Sequence, residues 1–308
     1  MDIAIMIEGQ MGLNWQRWKA VAEVVERTGF AGLYRSDHFT NPNPPDYDSL
    51  ELWSSLTWLA SHTERIEFGP LVSPFTFRHP SMVARIATAV DDLSRGRLHL
   101  GLGAGWQERE HRNYGFELGS IDERMQRFEE GLEVVTRLFR NERASFDGDF
   151  YQIDDAVLKP KSRSGKGPSI TIGGNGIKRT LPIAVQYADE WNGVFLTPEE
   201  FQQRSQRLDE LLEEAGRDPE TLRRTLMLGC AYAENQQDAD AKAKERGTQS
   251  AQELRERSIA AGSAKELIPF LKEYEERGCQ RVMLQWLELD NLKGLEAMGR
   301  ALLPEFKG

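Results

Sequence analysis

Short apolar runs alternate with stretches in which apolar residues recur every three or four positions, and the alternation repeats eight times along the chain. Each run reads as a buried strand and each periodic stretch as an amphipathic helix. Ile3–Ile7 is the first strand. Trp15, Trp18, Ala22 and Val25 then share one helical face, which Gly29 terminates. Strands follow at Gly32–Asp37, Arg65–Val72, Arg97–Leu102, Ser169–Gly173, Glu190–Leu196, Thr225–Tyr232 and Arg281–Trp286. The helices between them carry their own start signals. Pro80 occupies a first helical position, and Ser120 with Glu123, Thr197 with Glu200 and Ser263 with Glu266 have capping-box spacing. The expected helix after the fifth strand covers 177–188, a polar helical region runs to about residue 258, and residues 292–303 close the chain as helix.

Strand-then-helix repetition means an α/β fold with a parallel sheet. Eight repeats in 308 residues favour a closed (β/α)8 TIM barrel over an open sheet. Residues 144–168 read as a small insertion before the fifth strand, a hairpin turning at Asp147-Gly148 followed by a basic loop. The alternation resumes at once, so residues 1–308 are expected to form a single domain. In such a barrel the chemistry belongs at the C-terminal ends of the strands.

Composition narrows the classes. A net charge of −10 argues against a nucleic-acid or acidic-membrane partner, and no apolar run approaches the length of a membrane span. The first residues lack the basic region of a signal peptide. Cys230 and Cys279 stand far apart, as expected of free buried thiols in a cytoplasmic protein. No HExxH, clustered cysteines or EF-hand loop points to a metal.

Four strand ends carry candidate chemistry. Strand two runs into Ser36, Asp37 and His38, an acid beside a group that titrates near neutral pH. Neighbours on extended chain point apart, so the two side chains are expected to face a ligand without touching. Strand three leads into Val72 and Ser73, then Phe75 and Phe77; Arg78 and His79 read as serving the helix start. Strand four ends in Gly101-x-Gly103-x-Gly105, whose bare backbone suits close approach of a flat ligand, with Ala104 between and Trp106 beyond. Strand five ends in Gly173, Gly174, Asn175 and Gly176 before a helix, an arrangement that favours an anion. His99 alternates with leucines and reads as a hydrogen-bonded interior residue.

In their joint order and spacing these segments resemble the bacterial luciferase-like monooxygenase superfamily, in particular its coenzyme F420-dependent oxidoreductases. The resemblance covers about residues 3–196 and, weakly, 262–286. It implies a deazaflavin or flavin at the C-terminal mouth of the barrel and a homodimer. Asp37 and His38 would lie beside the ring, and Val72-Ser73 would form a bulge with a non-prolyl cis peptide behind it. Gly103, Ala104 and Gly105 would line the cofactor, and Gly173, Gly174, Asn175 and Gly176 would hold its phosphate. Trp106 stands where the sugar-phosphate dehydrogenases of that branch carry glutamate, which argues against a sugar phosphate substrate.

The expectation is therefore a cytoplasmic enzyme that moves a hydride between F420 and a small organic substrate. His38 would donate or accept the proton, with Asp37 orienting ring or substrate. The alternatives are an FMN-dependent monooxygenase and a flavin-binding protein without turnover. Lys159, Lys161, Arg163 and Lys166, with Lys178 and Arg179, are expected to offer the anionic F420 tail a basic path out of the barrel.

Overall fold

The computed structural model describes residues 1–306. Its strands are β1 (Asp2–Ile7), β2 (Gly32–Arg35), β3 (Glu67–Pro70), β4 (Ser73–Pro74), β5 (His99–Gly103), β6 (Ala144–Asp147), β7 (Gln152–Ala156), β8 (Ser169–Gly173), β9 (Glu190–Val194), β10 (Arg223–Tyr232), β11 (Ile259–Gly262) and β12 (Arg281–Gln285). The α-helices are α1 (Trp15–Thr28), α2 (Leu52–His62), α3 (Pro80–Ser94), α4 (Glu108–Tyr114), α5 (Ile121–Arg140), α6 (Thr180–Tyr187), α7 (Pro198–Glu214), α8 (Gln236–Glu245), α9 (Ala251–Glu256), α10 (Ala264–Glu276) and α11 (Leu292–Leu302).

The main sheet runs β3-β2-β1-β12-β10-β9-β8-β5-β4, and its strand pairs are parallel. β3 and β4 are two pieces of one barrel position, so the ring has the eight positions expected. It closes through the parallel bridge of Phe68 to Leu98. Glycine makes that seam possible. A Cβ on Gly69 would lie 1.8 Å from the His99 carbonyl oxygen, and one on Gly101 would lie 2.0 Å from that of Pro70. No larger residue fits where two backbones approach so closely.

The capping signals work as read. Ser120 and Glu123 form a complete box at the start of α5, and Thr197 and Glu200 do the same for α7. Gly29 ends α1 at φ 103°. Helices bury their apolar faces against the outside of the strands; Trp18 is fully buried and its indole N–H donates to the Ser55 carbonyl at 3.0 Å. Each such large apolar side chain removed from water contributes roughly 1.5–3 kcal/mol. Both cysteines are free and buried.

Inside the ring the side chains form two layers. At the N-terminal end lies an ionic layer: Arg281 pairs with Glu67, approaches Glu190 at 3.8 Å and donates to the Tyr34 hydroxyl, while His99 Nε2 sits 3.1 Å from Glu67. His99 is thus the hydrogen-bonded interior residue its alternation suggested. Above this layer Ala4, Met6, Tyr34, Leu71, Met227 and Met283 form an apolar plug.

Several elements differ from expectation, among them the unexpected helix α4. The polar region after β10 breaks into α8 and α9, and the short β11 adds to the edge of β10. The helix after β8 begins at Thr180, because residues 177–179 turn before it. The basic loop 159–168 lies at the N-terminal end of the barrel. Lys161 Nζ donates to the carbonyls of Leu138 and Asn141 at the C-terminus of α5, and Arg163 pairs with Asp92 near the end of α3. The path expected for an anionic tail through Lys159, Lys161, Arg163 and Lys166 is therefore at the wrong end of the molecule. Among the described residues no helix is long and apolar enough to cross a membrane.

Candidate active site

A cavity of about 450 Å³ opens at the C-terminal end of the barrel. That volume lies within the usual range for small-molecule sites. Its wall includes Asp37, His38, Val72, Gly103, Ala104, Gly105, Gly173 and Gly174, eight of the eleven site residues expected from sequence. Ser73, Asn175 and Gly176 do not line it.

The Ser36–His38 segment leaves the end of β2, and its two titratable side chains diverge as extended chain requires. Asp37 is buried and turns toward β4, where its carboxylate accepts from the Ser73 hydroxyl at 2.7 Å and pairs with Arg78. Arg78 also reaches Glu51, at 3.0 Å. Burial pushes the Asp37 carboxyl above its ordinary value, and Arg78 and the Ser73 hydroxyl pull back against it. His79 does serve the helix start, its Nδ1 accepting from the Ser81 N–H at 3.2 Å. Arg78 instead clamps Asp37, a role its place beside the helix did not reveal.

His38 turns the other way. Its Nδ1 lies 2.8 Å from the Glu110 carboxylate, whose second oxygen accepts from the Phe39 N–H at 2.9 Å. An ionised carboxylate only accepts, so the Nδ1 proton is assigned to His38. Nε2 makes no hydrogen bond among the described residues. Burial alone would lower the His38 pKa, but hydrogen bonding and charge from Glu110, with Glu8 and Asp37 adding, raise it above its ordinary 6.5. Trp106 packs edge-on against the imidazole at 5.5 Å. In Glu110→Gln the raising charge is gone while the burial stays, so the His38 pKa is expected to fall. An NMR titration of its ring protons checks this; an unmoved pKa would mean that Glu110 does not set it.

Val72 lines the cavity. The bond before it, Leu71–Val72, is a non-prolyl cis peptide. The expected cis bond was one position later, at Val72-Ser73; Ser73 enters β4 in the ordinary trans form. Val72 rests on bare backbone: a Cβ on Gly103 would lie 2.6 Å from its Cγ2, and one on Gly173 3.1 Å from its Cγ1. The glycines at the ends of β5 and β8 make room for this side chain, which then offers a blunt apolar surface to the cavity. Phe75 and Phe77 lie elsewhere: Phe77 stacks on Phe39 and Phe75 packs against Phe128.

The loop 173–176 is tied to the neighbouring strand. The Asn175 side chain donates to the Val194 carbonyl at 2.8 Å and accepts from the Val194 N–H at 2.9 Å. These two bonds pin the amide to β9 and leave one Nδ2 proton and the backbone of residue 175 for a ligand. Lys178 is exposed, Arg179 pairs with Asp122 at 2.6 Å, and Arg124 donates to the Gly105 carbonyl at 2.9 Å.

A family model described as luciferase-like monooxygenase matches residues 4–301. The chain belongs to the luciferase-like monooxygenase family. It is similar to an F420-dependent glucose-6-phosphate dehydrogenase of Microbacterium testaceum, 30% identical over 204 residues, which is 63% of this chain and 57% of the relative. It is also similar to an FMNH(2)-dependent dimethylsulfone monooxygenase of Pseudomonas putida, 29% identical over 157 residues, or 51% and 43% of the two chains. The chain spans about half the length of the curated relatives it matches. The coenzyme F420 dependent tetrahydromethanopterin reductase from Methanopyrus kandleri shares the fold over 100% of both chains, with a TM-score of 0.83 at 18% identity. These likenesses agree with the TIM barrel and with the luciferase-like resemblance.

Sequence reasoning missed Glu110, Glu8, Asn192 and Gln285 of this luciferase-like cavity. Glu110 sits in a polar stretch, Glu108–Tyr114, that has no apolar period to show which way it faces. Glu8, immediately after β1, and Gln285, the last residue of β12, were findable, because they stand at strand ends.

Proposed function

We infer that this chain is an oxidoreductase that moves a hydride between F420 and a small organic substrate at the barrel mouth. The observation that carries the reading is His38, set on the cavity wall with Nδ1 held by buried Glu110 and Nε2 unengaged. The residues present fit a flat tricyclic cofactor. Val72 would back its ring, Gly103, Ala104 and Gly105 would flank it, and the backbone of Gly173, Gly174, Asn175 and Gly176 would hold its phosphate. When bound, the deazaflavin supplies the hydride chemistry. The protein's own part is to orient and to move a proton. Glu110 fixes the imidazole, Nε2 of His38 gives or takes the proton, and Asp37, held by Ser73 and Arg78, keeps the wall in place. With the lysine loop at the opposite end, the cations beside the phosphate loop are Lys178, Arg179 and Arg124. The same reading takes residues 1–308 as one domain acting in the cytoplasm as a homodimer.

The second reading is an FMN-dependent monooxygenase, favoured by the similar identity of the FMNH(2)-dependent relative. Fluorescence titration of the purified protein with F420 and with FMN separates the two. Tighter binding of F420 is the expected result. Tighter binding of FMN would replace the first reading by the second, and binding of neither would overturn both.

A further inference from the structure

We propose that Glu8 selects the substrate by charge, so that the site takes a small neutral or cationic molecule, an alcohol or an amine, and rejects carboxylates and phosphates at its reacting end. The proposal rests on the preceding reading for the existence of a substrate; the charge preference itself rests on the cavity.

The charged groups on the cavity wall are Glu8, Asp37, His38 and Glu110, and among the described residues no lysine or arginine lines it. Two of the three carboxylates have partners that answer their charge. Asp37 has Arg78, and Glu110 has His38 and the Phe39 N–H. The His38–Glu110 pair is therefore neutral when the imidazole is protonated and negative otherwise, so it never favours an anion. Glu8 differs. Its two oxygens accept only from neutral amides, Gln285 Nε2 at 2.7 Å and Gln10 Nε2 at 3.0 Å. Gln10 is fixed in turn by the Ser36 hydroxyl, at 2.9 Å. Each carboxylate oxygen keeps a further lone-pair site. The geometry holds Glu8 at the end of β1 with no cation hydrogen-bonded to it; buried Arg35 and His38 act on it only through space.

An independent observation points the same way. Asn192 is fully buried and lines the cavity. Its Nδ2 donates to the Thr225 hydroxyl at 2.9 Å, while its Oδ1 has no hydrogen-bond partner. Buried acceptors without donors are uncommon and costly. Glu8 and Asn192 thus both carry unused acceptor capacity, Glu8 with a carboxylate. A ligand bearing N–H or O–H groups finds an acceptor in Glu8; a carboxylate or phosphate brings no donor and meets like charge.

Isothermal titration of the full chain with benzylamine, benzyl alcohol and benzoate tests this at constant ring size. The titrations are run without cofactor and again with whichever of F420 or FMN binds. Benzoate is expected to bind at least about tenfold more weakly than benzylamine. Glu8→Gln, nearly isosteric, is expected to narrow that ratio about tenfold with little change for benzyl alcohol. Benzoate binding as tightly as benzylamine to the wild type would overturn the proposal. So would an unchanged ratio in a Glu8→Gln protein of normal melting temperature, or failure of all three probes to bind at millimolar concentration. If neither cofactor binds, the oxidoreductase reading fails, and the cofactor-free titrations still decide the charge preference.

Discussion

His38→Ala is expected to lower turnover by ~10²–10⁴-fold, the usual contribution of a positioned general acid or base, while leaving cofactor affinity nearly unchanged. The split follows from the geometry. His38 meets the cavity by its edge, with one nitrogen held by Glu110 and the other open, whereas the cavity's flat wall is built by Val72 and the glycines beneath it. Steady-state kinetics set beside a fluorescence titration of cofactor binding read the two effects separately. Unchanged turnover would remove His38 from the chemistry, and a parallel loss of affinity would make it a binding group. The pH dependence adds a sign. Because the folded-state pKa is raised above 6.5, the imidazolium persists to higher pH than in a free histidine. If His38 acts as the acid, activity falls as pH rises through that raised value; if it acts as the base, activity rises there. Glu110→Gln moves either limb to lower pH.

The largest stability effect is expected at Arg281, about 3–5 kcal/mol on replacement by methionine. The guanidinium is 1% exposed and stands between Glu67 and Glu190, the latter also 1% exposed. Methionine fills similar volume but leaves Glu190 buried without its cation. Urea denaturation at neutral pH measures the loss, and adding Glu190→Gln should recover part of it; a loss under about 1 kcal/mol would show the layer to be energetically idle. Acid reads the same layer. Burial would raise the Glu67 pKa, but His99 and Arg281 outweigh it and hold the carboxyl well below the ordinary 4.5. A depressed folded-state pKa gives stability that is present above 4.5 and is lost as pH falls through the folded value. The gap between wild type and Arg281→Met should therefore narrow as pH drops below 4.5.

The barrel was legible because each of its strands carries an apolar run and most of its helices an apolar face or a cap. Residues 259–262 escaped because two alanines and a glycine carry little strand signal. The divergence of Asp37 and His38 followed from strand geometry alone; their partners did not, since Arg78 and Glu110 lie 41 and 72 residues away in sequence. The misplaced basic loop shows the limit of reading by proximity. Lys166 and Gly173 are near in sequence, but the five residues of β8 stand between, and a strand of that length spans about 16 Å. Adjacent segments on either side of a barrel strand belong to opposite ends of the molecule.

The methionine plug has a kinetic meaning. Met6 and Met283 are 1% and 0% exposed, and beneath them the ionic layer closes the floor of the ring. The cavity is closed on that side, so on the proposed reading a cofactor and a substrate seated at different depths would enter and leave in sequence, the deeper one arriving first and departing last.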